Sequence, residues 1–235
     1  MPGVSGLIRV GHKGADHVAP GNTAASFEAA LEHGVDMIEF DVLKARDGRL
    51  VLAHDYADSE RRECLTLEQG LELFAGEAYA GVELDVDLKL PGYEREVVDG
   101  LDRHGLTGRS LVSTMYPESL DRLGEIAPGL RRGWSVPRVR RNYLKAPLYV
   151  RLPALALAAW MRLRMPSMAA RRIRAGGCEA IMSHQVLVTG RLVHAVHGAG
   201  GQLYVWTVDE APKIRALEAL GVDAVITNDQ RLFAG

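Results

Sequence analysis

The chain is 235 residues long, with 28 basic and 30 acidic side chains and a formal net charge of −2. That length allows one large core, and the balanced charge excludes both a bulk nucleic-acid binder and a disordered segment. Two cysteines, Cys64 and Cys178, are too few for a disulfide framework and lack Cys-x-x-Cys spacing, so a reducing, cytoplasmic setting is expected.

The N-terminus has no charged start followed by an apolar h-region, and no secretory leader is expected. No run approaches the roughly 18 apolar residues of a membrane span. A first strand is expected near Leu7–Gly11, with His12 directly after it. A helix over Thr23–His33 follows, capped by Asn22 or Thr23 and stopped by Gly34. The second strand is Val35–Val42, and an extra hairpin fits Lys44–His54 with Asp47-Gly48 at its turn. Helix Leu65–Phe74 then leads to strand Val82–Lys89, helix Glu94–His104 to strand Ser110–Ser113, and helix Pro117–Ile126 to strand Arg131–Val136. Strands Glu179–Ser183, Leu203–Val208 and Ala224–Thr227 complete the series, with helices Arg191–Ala199 and Ala211–Leu220 between them. This alternation predicts one α/β domain, a parallel (β/α)8 TIM barrel, with a doubly wound sheet as the second choice.

Barrel active sites lie at the C-terminal ends of the strands. His12 follows strand one, Glu39 and Asp41 lie late on strand two, Asp87 and Lys89 end strand three, and Trp206 is late on strand seven. Residues at i and i+2 share a strand face, so Glu39 and Asp41 point one way while Ile38 and Phe40 point the other. Two carboxylates on a buried strand stay charged only beside a cation or strong donors. A hard divalent ion, Mg²⁺ or Ca²⁺, takes such oxygen ligands. With His12 before them and His54 at the hairpin's end, the set points to metal-assisted acid/base chemistry. Asp85 shares the face of Asp87, but Asp87 is nearer the rim and is the better third ligand. Asp85 then pairs with Lys89 or sits lower in the barrel. Of the other histidines, His17, His33, His104, His194 and His197 read as solvent-facing, and His184 as a rim residue.

One stretch breaks the composition. Residues 131–174 carry twelve of the 28 basic residues and no acid, around the apolar run Leu152–Met161. Such a mixture resembles an interfacial element on an anionic membrane more than a core helix, with Leu155, Leu157, Trp160 and Met161 inserting. It places a basic amphipathic insertion around 137–175, after strand five and beside the active-site mouth. Peripheral contact with the inner membrane surface is the corresponding expectation.

Several motifs together resemble the glycerophosphodiester phosphodiesterase family. They are Gly11-His12-Lys13-Gly14, Pro20-Gly21-Asn22-Thr23, Ile38-Glu39-Phe40-Asp41, Ala53-His54-Asp55, Asp87-Leu88-Lys89, Trp206-Thr207-Val208-Asp209 and Thr227-Asn228-Asp229. The resemblance implies a phosphodiesterase-type barrel with one divalent cation on Glu39, Asp41 and Asp87. It implies His12 and His54 as the acid/base pair, with Lys13 and Lys89 near the phosphate and Trp206 as a pocket wall. The substrate it implies is a small glycerophosphodiester or a lysophospholipid, attacked by its neighbouring hydroxyl or by water. Three positions depart from the family pattern: Lys13 replaces Arg, Gly21 replaces Glu, and Asp87 replaces Glu. Asp87 with Lys89 two places on is also similar to spider-venom-type phospholipases D, which leaves a cyclizing, choline- or ethanolamine-lipid enzyme as one alternative. A non-enzymatic barrel that binds lipid head groups is the other.

Overall fold

The computed structural model describes residues 6–138 and 148–234; the side chains of 148–155 lie outside that description. Eight parallel strands close on themselves: β1 (Ile8–Gly11), β2 (Met37–Lys44), β4 (Glu83–Leu88), β5 (Ser110–Thr114), β6 (Arg131–Val136), β7 (Ala180–His184), β8 (Gln202–Trp206) and β9 (Ala224–Thr227). Pairing of β1 with both β2 and β9 completes the ring, which excludes a doubly wound sheet. The extra strand β3 (Leu50–Leu52) runs antiparallel to the end of β2. Asp47 and Gly48 sit in the connecting loop, where Gly48 has φ +88°, a value that glycine adopts without a Cβ clash.

Strand parity builds two cores. Val10, Met37, Leu111, Met182, Tyr204 and Ile226 point inward and fill the barrel. Ile38, Phe40, Val42, Leu84 and Val86 point outward against the helices. The helix α1 (Ala24–Glu32) starts at Thr23, whose Oγ1 accepts from Ser26 N at 3.2 Å in a reciprocal capping box. It delivers Phe27 to Phe40 and to Phe74 of α3 (Leu67–Ala75), with ring centroids 6.2 and 4.8 Å apart. Burial of each such ring stabilises the fold by about 1.5–3 kcal/mol. The remaining wall helices are α4 (Glu94–Arg103), α5 (Pro117–Ile126), α7 (Gly190–His197) and α8 (Ala211–Leu220), with a short α2 (Tyr56–Arg61) after the hairpin.

The basic segment contains α6 (Leu148–Arg174), the crossover helix between β6 and β7. Its second half is a core helix, contrary to the interfacial reading. Met165, Ala169 and Ile173 are buried, and Met161 packs partly against the same cluster. Their four-residue spacing makes one apolar stripe hidden among arginines. Its 27 residues span about 40 Å at about 1.5 Å per residue, so its first half extends past the strand ends on the rim side. Leu157 and Trp160 there, and Leu163 just past the midpoint, are exposed; the Leu155 side chain lies outside the described residues. Three of the basic residues serve the wall instead: Arg131 pairs with Glu83, Arg132 with Glu179 and Arg172 with Asp121. Among the described residues, no helix is long and apolar enough to cross a membrane.

Candidate active site

At the C-terminal rim, β2 and β4 pair in register, Glu39 opposite Asp85 and Asp41 opposite Asp87. Ligand oxygens of Glu39, Asp41 and Asp87 all lie within 4.8 Å of one another. Lys89 Nζ rests between two of them, in contact with Asp41 Oδ1 and 2.5 Å from Asp87 Oδ2. Burial, then Asp41, pushes the Glu39 carboxyl well above its ordinary range. Burial also works against ionised Asp41, but Lys89, His54 and His12 outweigh it and hold that carboxyl well below its ordinary value. The same carboxylates raise Lys89 well above its usual value despite the desolvation it suffers.

The residues fit a divalent cation. Asp87 Oδ1 is buried without a hydrogen-bond donor and Asp41 Oδ1 meets only the Lys89 ammonium, and an all-carboxylate set is the donor chemistry that Mg²⁺ and Ca²⁺ take. The ligands are also held from behind. Asn22, buried and at φ +60°, donates from Nδ2 to Asp41 Oδ2 at 2.8 Å and accepts from Asp41 N at 3.0 Å. Thr23 therefore caps α1 alone, and Asn22 orients the carboxylate. Lys13 N donates to Glu39 Oε2 at 2.7 Å.

His12 and His54 line one cavity of about 160 Å³ together with Glu39, Asp87, Lys89 and Trp206. His12 Nε2 is 3.9 Å from Glu39 Oε2, and Nδ1 is 2.5 Å from Asn228 Oδ1. Burial lowers the His12 pKa, and Asp41 opposes that shift. His54 follows β3 and is about half exposed, with Nδ1 3.3 Å from Asp55 Oδ2. Trp206 donates from Nε1 to Met182 O at 2.8 Å and meets the His184 ring edge-on at 5.1 Å. It is both packed and pocket-lining. Wider clefts of about 340 and 480 Å³ lie at the barrel foot and beside the hairpin; neither is lined by a histidine.

Lys13 is the one predicted phosphate contact turned away. Its ammonium pairs with Asp16 at 2.5 Å and does not line the cavity. His104 is not solvent-facing either, since it packs half-buried on Glu68 with its Nε2 2.8 Å from the carboxylate. Asp85 does not reach Lys89 in a salt bridge and sits lower in the barrel.

The family description that matches this chain is the glycerophosphoryl diester phosphodiesterase family, over residues 12–88 and 66–232. The chain belongs to that family. It is therefore one of the phosphoric diester hydrolases. A glycerophosphodiester phosphodiesterase of Caldanaerobacter subterraneus subsp. tengcongensis is 27% identical over 94% of this chain and 93% of its own length. One from Bacillus altitudinis is 24% identical over 92% of each. Among solved structures, the glycerophosphodiester phosphodiesterase of Parabacteroides distasonis superposes with a TM-score of 0.73 at 17% identity, over 97% of this chain and 95% of that one. An Oleispira antarctica phosphodiesterase, solved in complex with the product sn-glycerol-3-phosphate, gives 0.68 at 22% identity over 96% and 95%.

Within this phosphodiesterase chain, the departure at Gly21 has a physical counterpart. A Cβ there would lie 2.5 Å from Asp16 Oδ1, and Gly21 N donates to that oxygen at 2.8 Å. The Asp16 carboxylate fills the space and neutralises Lys13, so the first loop keeps an acid from another position. Sequence patterns alone did not mark Asp16, Asn22 or Asn228 as site residues. Asn22 and Asn228 stand in motifs that carry the family resemblance, and Asp16 stands in none.

Proposed function

We propose that this chain cleaves glycerophosphodiesters using one divalent cation, Mg²⁺ or Ca²⁺, held by Glu39, Asp41 and Asp87, with His12 and His54 as its acid/base pair. The observation that carries the reading is the three-carboxylate cluster, two of whose members, Glu39 and Asp87, line one cavity with both histidines. When bound, the ion supplies positive charge that offsets the charge developing on the phosphoryl group. Lys89 adds a fixed ammonium beside the same carboxylates. One imidazole removes the proton of the attacking hydroxyl or water, and the other protonates the leaving alkoxide. Trp206 closes the wall beside the reacting ester. Asp16, by pairing with Lys13, leaves that lysine as a loop brace and a source of field.

The test is product analysis by phosphorus NMR on glycerophosphocholine and lysophosphatidylcholine. Wild type should turn over, chelator should abolish turnover, and either Mg²⁺ or Ca²⁺ should restore it. His12→Ala and His54→Ala should each lower turnover by about 10²–10⁴, and the double variant should be little worse than either single one. Full activity in excess chelator would overturn the metal assignment. A cyclic phosphate product would favour the cyclizing alternative, and no turnover of any diester would favour the head-group-binding barrel.

A second reading concerns the partner surface. Leu157 and Trp160 on the first half of α6 and Leu163 just past its midpoint are exposed, with Arg162 and Arg164 beside them. This amphipathic face suits an anionic bilayer, which would bring lipid-derived diesters such as lysophospholipids to the mouth. Arg140, Arg141 and Lys145 lie outside the described residues.

A further inference from the structure

The loop between β1 and α1 has a backbone feature that the acid/base chemistry leaves unused. Among the described residues, the two non-glycine residues with positive φ are Lys13, at +51°, and Asn22, at +60°. Each holds one acid of the cluster. Lys13 N donates to Glu39 Oε2 at 2.7 Å. Asn22 donates from Nδ2 to Asp41 Oδ2 at 2.8 Å and accepts from Asp41 N at 3.0 Å. The two residues also bond to each other, with Asn22 N donating to Lys13 O at 3.0 Å.

L side chains seldom adopt this region, because Cβ crowds the following carbonyl, and it persists only where the surroundings over-determine it. Asparagine visits it more readily than lysine, so Lys13 is the strained residue of the two. Asp16 supplies the constraint. Its Oδ2 pairs with Lys13 Nζ at 2.5 Å, and its Oδ1 accepts at 2.8 Å from Gly21 N, the amide just before Asn22. One carboxylate thus ties both ends of the loop together. Gly21 leaves it room, since a Cβ there would lie 2.5 Å from Asp16 Oδ1 and 2.8 Å from Lys13 Cβ. Asp16 does not line the cavity, so it acts through the loop and not on the substrate.

We propose that Asp16 is a positioning residue for the carboxylate cluster: it holds Lys13 and Asn22 in the left-handed conformations that aim the Lys13 amide at Glu39 and the Asn22 side chain at Asp41. A carboxylate fixed by a donor behind it takes an ion without first having to be ordered. Lys13 then contributes through its backbone, and its side chain is the handle that Asp16 grips. This rests on the cation reading above for what Glu39 and Asp41 bind, and it adds what sets their geometry.

Two readouts that need no substrate separate this role from the cation reading: hydrogen exchange of the Lys13 amide in chelator, and Mg²⁺ or Ca²⁺ affinity by isothermal titration. Lys13→Ala combined with Asp16→Ala removes the pair and leaves the net charge unchanged. It should open the Lys13 amide to exchange and weaken ion binding by about 10–100-fold, the usual loss when a group behind a metal ligand is removed. Lys13→Gly combined with Asp16→Ala carries the same charge, but glycine takes positive φ freely. It should bind the ion about 5–30-fold more tightly than the double-alanine variant and regain amide protection. Wild-type affinity and protection in the double-alanine variant, or a glycine variant no better than it, would overturn the positioning role. Should the double-alanine variant not fold, Gly21→Ala forces Asp16 aside with no change of charge, and unchanged protection and affinity there would do the same. Loss and recovery of amide protection in a protein that binds no ion would keep the positioning role and remove the cation reading.

Discussion

Asp209 can only accept hydrogen bonds, so Asn228, which donates to it from Nδ2 at 2.8 Å, must turn its carbonyl toward His12. Thr227 Oγ1 and Asn228 N also donate to Asp209 Oδ1, at 3.0 and 2.9 Å, which fixes the carboxylate. His12 Nδ1 therefore carries the hydrogen, and Nε2 faces the carboxylate cluster, ready to take or give a proton. Asn228→Asp would set two carboxylates against each other and Asp209→Asn would free the amide to flip; each should lower kcat about tenfold or more, as loss of a positioned acid/base group does. The double variant restores one acceptor toward Nδ1 and one donor toward the acid, and should recover most activity. A carboxylate beside Nδ1–H favours the charged imidazolium, so the limb of the pH–rate profile belonging to His12 should move to higher pH. Movement of the acid limb would make His12 the base; movement of the basic limb would make it the acid. A double variant no better than the single ones would remove this positioning role. Nothing in local spacing points to the pair, because Asn228 is 216 residues from His12 and only barrel closure joins them. Glu39 and Asp41 were legible for the opposite reason: strand parity is local, and two acids on one inward face of an apolar strand need a cation or strong donors to stay charged.

At the scale of elements, periodicity worked wherever one face is buried. The strands and six wall helices appear within a few residues of their expected bounds, and the hairpin forms at Asp47-Gly48. It failed on α6, where Met161, Met165, Ala169 and Ile173 form a core stripe while arginines fill the positions between. The density of charge in this stretch masks the four-residue repeat. The exposed remainder is testable. With Arg131, Arg132 and Arg172 engaged in the wall and Arg171 and Arg174 in the last turn of α6, toward the barrel foot, the described basic residues left for a lipid surface at the rim are Arg138, Arg162 and Arg164. Each basic residue near an anionic surface contributes about 1 kcal/mol, so wild type should sediment with acidic vesicles and not with neutral ones. Trp160→Glu should weaken that binding, as should salt, which shortens the screening length. Equal sedimentation of both proteins would leave the rim half of α6 as an ordinary basic face.

For the whole molecule, the barrel mouth is a place where function and stability oppose each other. Glu39, Asp41, Asp85 and Asp87 crowd one end of the barrel around Lys89. Part of the repulsion is relieved by protonation, as burial raises Glu39 well above its ordinary range and brings Asp85 up to about 8. A divalent cation relieves it more completely and competes with the proton that burial favours on Glu39. Binding to the native state alone stabilises by about 2.7 kcal/mol at a hundred times Kd, which for a chain of this size is a Tm rise of roughly 5–10 °C. Because the proton competes with the ion, the rise should be larger near about pH 8 than near about pH 6. The sign follows from the raised pKa: at lower pH the proton-bound native state is already stabilised, and the ion must first displace that proton. Glu39→Gln with Asp41→Asn removes both charges and should abolish the ion's effect while leaving the ion-free protein at least as stable as wild type. Thermal melts in chelator, Mg²⁺ and Ca²⁺ at both pH values read this without any substrate. An equal ion-induced rise in the double variant would place the cation elsewhere on the molecule, and a rise that shrinks with pH would mean that Glu39 is not the group it displaces a proton from.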